Sequence, residues 1–188
     1  MSERFYSGSN VPQEAVTFGV PVIDTAHEAI HLGYGFSASY YAEGIADNGT
    51  LQVTFLAPAT GKIIHLKRWK PWGEGGLNSI ELFEAPTYTA ASGTLFTSEN
   101  RNRHSHSLTA SALVVMTNPT ITAVAPAVGK LIDGPFLFGG GGAGGGSGGS
   151  DDANEEIVLK ANTRYLVRLT NLSGSAKAMG IWLFWYEE

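Results

Sequence analysis

The segment Gly139-Gly140-Gly141-Gly142-Ala143-Gly144-Gly145-Gly146-Ser147-Gly148-Gly149-Ser150, followed by Asp151-Asp152, constrains this chain more than any other. Gly and Ser bury almost nothing, so the tract cannot belong to a core. If it were a linker between domains, residues 155–188 would stand alone, too short for an independent core. The tract is therefore expected to be a loop at 139–154 inside one domain. The chain after it, which ends in Trp182, Phe184 and Trp185, must pair back into structure laid down earlier.

What precedes and follows the tract reads as strands. Leu51-Gln52-Val53-Thr54-Phe55-Leu56 alternates and is introduced by Asp47-Asn48-Gly49, a turn signal. Ser79 to Glu84 alternates and stops at Pro86, and Lys62 to Lys67 follows the Pro58 to Gly61 break. Further strands are expected at 113–116, 120–124, 156–159, 164–169 and 180–186. Nothing long has a helical period. Short strands punctuated by Gly, Pro and Asn argue for an all-β antiparallel β-sandwich, jelly-roll-like, over residues 25–188. Residues 1–24, with Pro12 and Pro21 and no sustained period, read as an extended N-terminal arm.

The 188 residues suffice for one sizeable core without covalent or metal support. The absence of cysteine removes disulfide scaffolds, thiolate zinc, iron–sulfur clusters and thiol nucleophiles together. A net charge of -5, from 12 basic and 17 acidic residues, offers no global field for a phosphate backbone, so nucleic acid is not expected as a partner. No apolar run approaches the ~18 residues of a membrane span, and the first ten residues lack the apolar stretch of a secretion signal. A chain at home in the cytosol, with no membrane partner, is expected.

Several strings match catalytic patterns. His27-Glu28-Ala29-Ile30-His31 fits H-E-x-x-H, whose chemistry requires a helix to place both imidazoles on one face. Gly33 and Gly35 follow at once, and Ser37 stands where a third His would be in one zinc-protease class. A strand is expected instead, with His27, Ala29 and His31 on one face and structural in role. His104 and His106 lie in a polar stretch with no carboxylate or Cys beside them, and Asp133, Asp151 and Asp152 form no calcium loop. Gly144 to Gly148 fits G-x-S-x-G by letter alone, and the glycine run lacks a Walker ending. No catalytic residue, metal or cofactor is expected. Trp69, Trp72, Trp182, Trp185, Tyr186 and Tyr88 offer rings that stack sugars, Trp69 to Glu74 being the best local candidate as a loop with two rings. The competing reading puts Trp182 and Trp185 in the sandwich core and Trp69 and Trp72 at an edge or interface.

Five segments in order are similar to a family of small tailed-phage proteins, usually encoded beside the major capsid protein. They are Asp24-Thr25-Ala26-His27-Glu28-Ala29-Ile30-His31-Leu32-Gly33, Ile80-Glu81-Leu82-Phe83-Glu84-Ala85-Pro86, Asn100-Arg101-Asn102-Arg103, Leu159 through Leu169, and Trp185-Tyr186-Glu187. The resemblance runs from about Asp24 to Glu188. It implies a non-enzymatic virion protein, a capsid decoration or cement component, acting on the outer capsid surface as a symmetric homo-oligomer, a trimer by the lattice's three-fold positions. Its partners are then the major capsid protein and itself, with assembly in the cytoplasm of the bacterial host. On that reading Phe5, Tyr6, Val11, Val16 and Phe18 of the arm contact the capsid, because the arm has no period to bury them itself. Trp69, Trp72, Arg101 and Arg103 are expected in interface loops. The alternatives are another virion part (neck, tail or fibre base), a carbohydrate-binding protein, and a zinc hydrolase.

Overall fold

The computed structural model describes residues 25–90, 92–104, 110–122, 128–139, 146–147 and 156–188. The expected arm, with Phe5, Tyr6, Val11, Val16 and Phe18, lies outside them, as does most of the glycine tract. Among the described residues a short helix, α1 (Thr25–His31), precedes twelve strands: β1 (Gly35–Ile45), β2 (Thr50–Leu56), β3 (Ile64–Gly73), β4 (Leu77–Glu84), β5 (Thr94–Phe96), β6 (Glu99–Asn100), β7 (Val114–Thr117), β8 (Lys130–Gly139), β9 (Gly146–Ser147), β10 (Ile157–Val158), β11 (Arg164–Asn171) and β12 (Lys177–Glu187).

The strands form two antiparallel sheets packed face to face. The front sheet runs β10-β3-β12-β1-β6, with β9 also paired to β3, and the back sheet runs β5-β7-β2-β11-β4-β8. All pairings are antiparallel. The architecture is the expected all-β sandwich, and the C-terminal strands do return to the interior. β11 lies between β2 and β4, and β12 between β1 and β3.

Period-two alternation builds the core. Met179, Ile181, Leu183 and Trp185 of β12 face Leu51, Val53 and Phe55 of β2 and Tyr165, Val167 and Leu169 of β11 in one apolar cluster. Phe55 stacks on Tyr165 at 5.7 Å, and Phe36 on Trp185 at 6.1 Å. Buried polar groups are paired at the end of β12. The buried Glu187 carboxylate accepts hydrogen bonds from Ser111 Oγ at 2.6 Å and Ala112 N at 2.9 Å, clamping the entry to β7 against the end of β12.

A bulge in β3 decides which tryptophan is core. Phe184 pairs with Arg68 and Trp185 with Leu66, so Lys67 is the extra residue and the alternation changes phase there. Ile64 and Leu66 point inward before it, and Trp69 and Pro71 after it; Arg68, Lys70 and Trp72 are left on the outer face. Trp69 is 3% exposed, whereas Trp72 is 43% exposed. Residues 69–73 continue the strand rather than forming the expected two-ring loop. Trp182 was expected in the core, but its register opposite Ser39 and Lys70 puts it outside, half-buried, against Phe184.

The HEAIH string is helical, against the strand expected for it. Ala26 and Ala29 are buried on Phe184 and Tyr186, with Ile30 packed beside them, a spacing only a helix supplies. Gly33 does not break the helix but caps it: at φ 83° it sits where the left-handed conformation ends a helix. Gly33 N donates to Ile30 O at 3.1 Å and Tyr34 N to Ala29 O at 2.7 Å. Asn102 Nδ2 and Asn100 Nδ2 then donate to the carbonyls of His31 and Gly33, both at 2.7 Å.

The segment expected as a strand at 120–124 contributes a single bridge, Ile121 to Tyr88, among its described residues. Within the expected 139–154 loop, Gly139 ends β8, and Gly146 and Ser147 pair with Gly73 and Trp72. No helix among the described residues is long and apolar enough to cross a membrane.

Candidate functional site

On α1, His27 and His31 share a face, their Nε2 atoms 2.9 Å apart and their rings 4.6 Å apart. Two imidazoles are half of a zinc site. Among the described residues no group of three or more His, Cys, Asp or Glu side chains is placed to hold a metal ion. Glu28 borders a different recess, with Lys62 and Glu188. His104 is exposed, its amide turned onto Asn102 Oδ1, and His106 lies outside the described residues. Asp133 accepts from the amide of Gly134.

Side chains converge most strongly on the outer face of the front sheet. Because β12 alternates, its even-numbered residues Ala178, Gly180, Trp182 and Phe184 form a floor between β1 and β3. Tyr41 lies opposite Gly180, which in turn lies opposite Trp72; Ser39, Trp182 and Lys70 make the next row, and Ser37, Phe184 and Arg68 the one after. Three adjoining recesses result. The central one, about 330 Å³, has Tyr41, Trp72 and Trp182 in its walls and Gly180 in its floor. Through Trp182 it continues into a basic recess of about 210 Å³ bordered by His27, Lys67, Arg68, Arg101 and Phe184. Through Tyr41 and Trp72 it opens the other way into about 350 Å³ lined by Glu43, Glu74 and Lys177.

Gly180 has a packing reason to be glycine. A Cβ there would stand 3.0 Å from Tyr41 Cβ and 3.1 Å from the Tyr40 carbonyl oxygen, tighter than ordinary contact. Beside the basic recess, Glu156 receives His65 Nδ1 at 2.6 Å, Tyr186 OH at 3.0 Å and Lys67 Nζ at 3.4 Å. Burial opposes ionisation of this carboxyl, but the hydrogen bonds from His65 and Tyr186 prevail and hold it below the usual carboxylate range. Lys67 is thereby committed to a carboxylate. Arg101 lies over the Trp182 ring at 5.9 Å.

Of the four residues expected at an interface, Trp72 and Arg101 meet on this face, joined through Trp182. Trp69 is core, and Arg103 makes an exposed pair with Glu99 at 3.2 Å, a contact of little energetic weight. Tyr41 and Arg68 also belong to this face, although no motif marks them. The alternation Ser39, Tyr41, Glu43 could have found the first; nothing short of the Lys67 bulge reveals the second.

The edges of the back sheet carry a different surface. On edge strand β8, Leu131, Phe136 and Leu137 are exposed, Leu137 by 65%, and on the opposite edge strand β5 Leu95 is exposed by 70%.

No family model, curated protein or solved structure matches the chain.

Proposed function

We propose that this protein is a non-enzymatic structural component of a tailed-phage particle, a decoration protein that binds the outer capsid surface as a symmetric homo-oligomer, a trimer, and stabilises the head. The observation that carries the reading is edge strand β8. Leu131, Phe136 and Leu137 are exposed on a strand whose outer side is a sheet edge, the kind of surface neighbouring copies cover. Two bulges in its pairing with β4, at Ile80/Leu82 and Leu82/Phe83, twist that edge and limit uncontrolled strand addition.

The segments that resemble the phage family support a structural role. Their polar residues bind one another: Arg168 Nε and Nη2 reach Glu81 Oε2 at 2.9 and 2.8 Å, and Lys160 Nζ reaches Glu84 Oε1 at 2.7 Å. Asn100 and Asn102 cap α1, as described. These side chains hold the fold, which is what a scaffold for repeated protein contacts requires.

The test is light scattering of the full chain, followed by addition to undecorated capsids. A trimer is expected, and Leu137→Glu should lower the subunit number. Deleting residues 2–20 should leave the subunit number unchanged while abolishing capsid binding. A truncated protein that is monomeric yet still binds capsids would reverse the two assignments, and a full chain that is monomeric and does not bind would overturn the reading.

A further inference from the structure

The geometry points to a second binding function: the outer face of the front sheet is a groove for an anionic oligosaccharide, one that carries carboxylate or sulfate groups. Three features of the face, of different chemistry, agree on this occupant.

The first is the aromatic slot. Tyr41 and Trp72 are 57% and 43% exposed and stand on either side of Gly180 in one row of the sheet. Two strand spacings separate their backbones by about 10 Å. A flat ring between two faces needs about 4 Å of contact on each side, so one sugar ring fits with its apolar C–H faces against both walls. Gly180 leaves the floor open, and Trp182 extends the platform along β12. The central volume of about 330 Å³ lies at the small end of ligand sites, which suits one or two sugar rings.

The second feature is charge. A chain of net charge -5 gathers His27, Lys67, Arg68 and Arg101 around one recess. Only Lys67 of these four has a carboxylate partner among the described residues, in Glu156. Arg68 and Arg101 are left with guanidinium forks suited to bidentate contact with a carboxylate or sulfate. Charge complementarity therefore selects an acidic occupant.

The third feature is continuity. The aromatic slot and the basic recess share Trp182, and two residue pairs along β3 carry the surface from the row of Trp72 to that of Arg68, about 14 Å. A short oligosaccharide spans that length, with a ring in the slot and an acidic group at the arginines. An acidic peptide would use the arginines but leave the slot without a purpose. A protein carrying both surfaces would attach particles to acidic polysaccharide through the face opposite its core, independently of the β8 edge.

The experiment is titration of the full chain, by calorimetry and saturation-transfer NMR, with trigalacturonate, a sulfated disaccharide and a hyaluronan tetrasaccharide. Trigalacturonate methyl ester serves as the neutral match and hexaglutamate as the acidic peptide control. At least one acidic sugar should bind saturably, and the affinity should fall as salt rises. The neutral ester should bind about tenfold more weakly than trigalacturonate, the loss expected for one charge-assisted contact. Trp72→Ala and the pair Arg68→Ala, Arg101→Ala should each reduce binding by a similar factor while keeping the parent's far-ultraviolet circular dichroism spectrum and a single cooperative urea transition. Failure of all three acidic sugars to bind overturns the inference. So does hexaglutamate binding that matches the sugars and ignores Trp72→Ala, which would mean a plain basic patch. A fall in subunit number in these variants with sugar binding intact would make the face a contact between copies, and would also overturn it.

Discussion

Trp69 and Trp72 are three residues apart on one strand, and replacing each by Ala should give widely different results. At 3% exposure Trp69 packs within the main core, its ring 6.1 Å from that of Phe136. A tryptophan buries roughly 150–250 Å², which at ~25 cal/mol per Å² is about 4–6 kcal/mol of transfer free energy. Measured truncations of large aromatics cluster at about 3–5 kcal/mol, because the cavity relaxes only in part. Trp72→Ala opens no cavity and removes a ring that is 43% exposed, so about 1 kcal/mol is expected. A difference of about 3 kcal/mol separates their unfolding constants by roughly 150-fold. For a chain of this size the melting temperatures should differ by roughly 6–12 °C. Urea unfolding followed by far-ultraviolet circular dichroism measures both variants on one scale, with unchanged slope as the check that only stability moved. Equal costs would refute the reasoning, because they would mean that Lys67 does not shift the phase of β3 and that the outer face is not the one described.

Other perturbations test other parts of the molecule. Gly33→Ala should destabilise by about 1 kcal/mol or more, since its φ of 83° is strained for any residue with a Cβ, although no atom blocks the side chain closer than 4.0 Å; an unchanged urea midpoint would count against the helix cap. Glu156 has a folded-state pKa below its unfolded one, so its stabilisation is present above the ordinary carboxyl range and lost as pH falls through the folded value. The stability gap between the parent and Glu156→Gln should therefore shrink from pH 7 to pH 3, and a gap that stays constant would refute the assignment. Protein purified without added metal should carry well under one zinc per chain by elemental analysis. A stoichiometric zinc lost in the double variant His27→Ala, His31→Ala would show that the pair finds further ligands and is not structural.

Much of the sandwich is legible in the chain itself. β2 announces itself by strict alternation of apolar and polar residues, β4 by alternation up to Leu82, and β11 and β12 by runs rich in aliphatic and aromatic residues, as central strands covered on both faces have. The place of the glycine tract likewise requires the C-terminal strands to return to the interior, and β11 and β12 are central strands of the two sheets. β1 and β8 escape such a reading for opposite reasons. β1 fills its inner face partly with small residues such as Ala38 and Ala42, which carry little hydrophobic signal. β8 contains Gly134 and Pro135, ordinarily strand breakers, tolerated because an edge strand need not donate every backbone hydrogen bond.

Tertiary structure alone decided the helix at HEAIH and the groove on the outer face. HEAIH became a helix because the outer face of β12 offered Phe184 and Tyr186 to Ala26 and Ala29, and seven residues have too little intrinsic helical preference to settle the question alone. The groove exists because one bulged residue, Lys67, turned Arg68, Lys70 and Trp72 outward together and Trp69 inward. Side-chain direction in a sheet depends on register against the neighbouring strand. That register is set by how β3 meets β12, more than a hundred residues later in the chain, and local sequence around Trp69 holds no record of it.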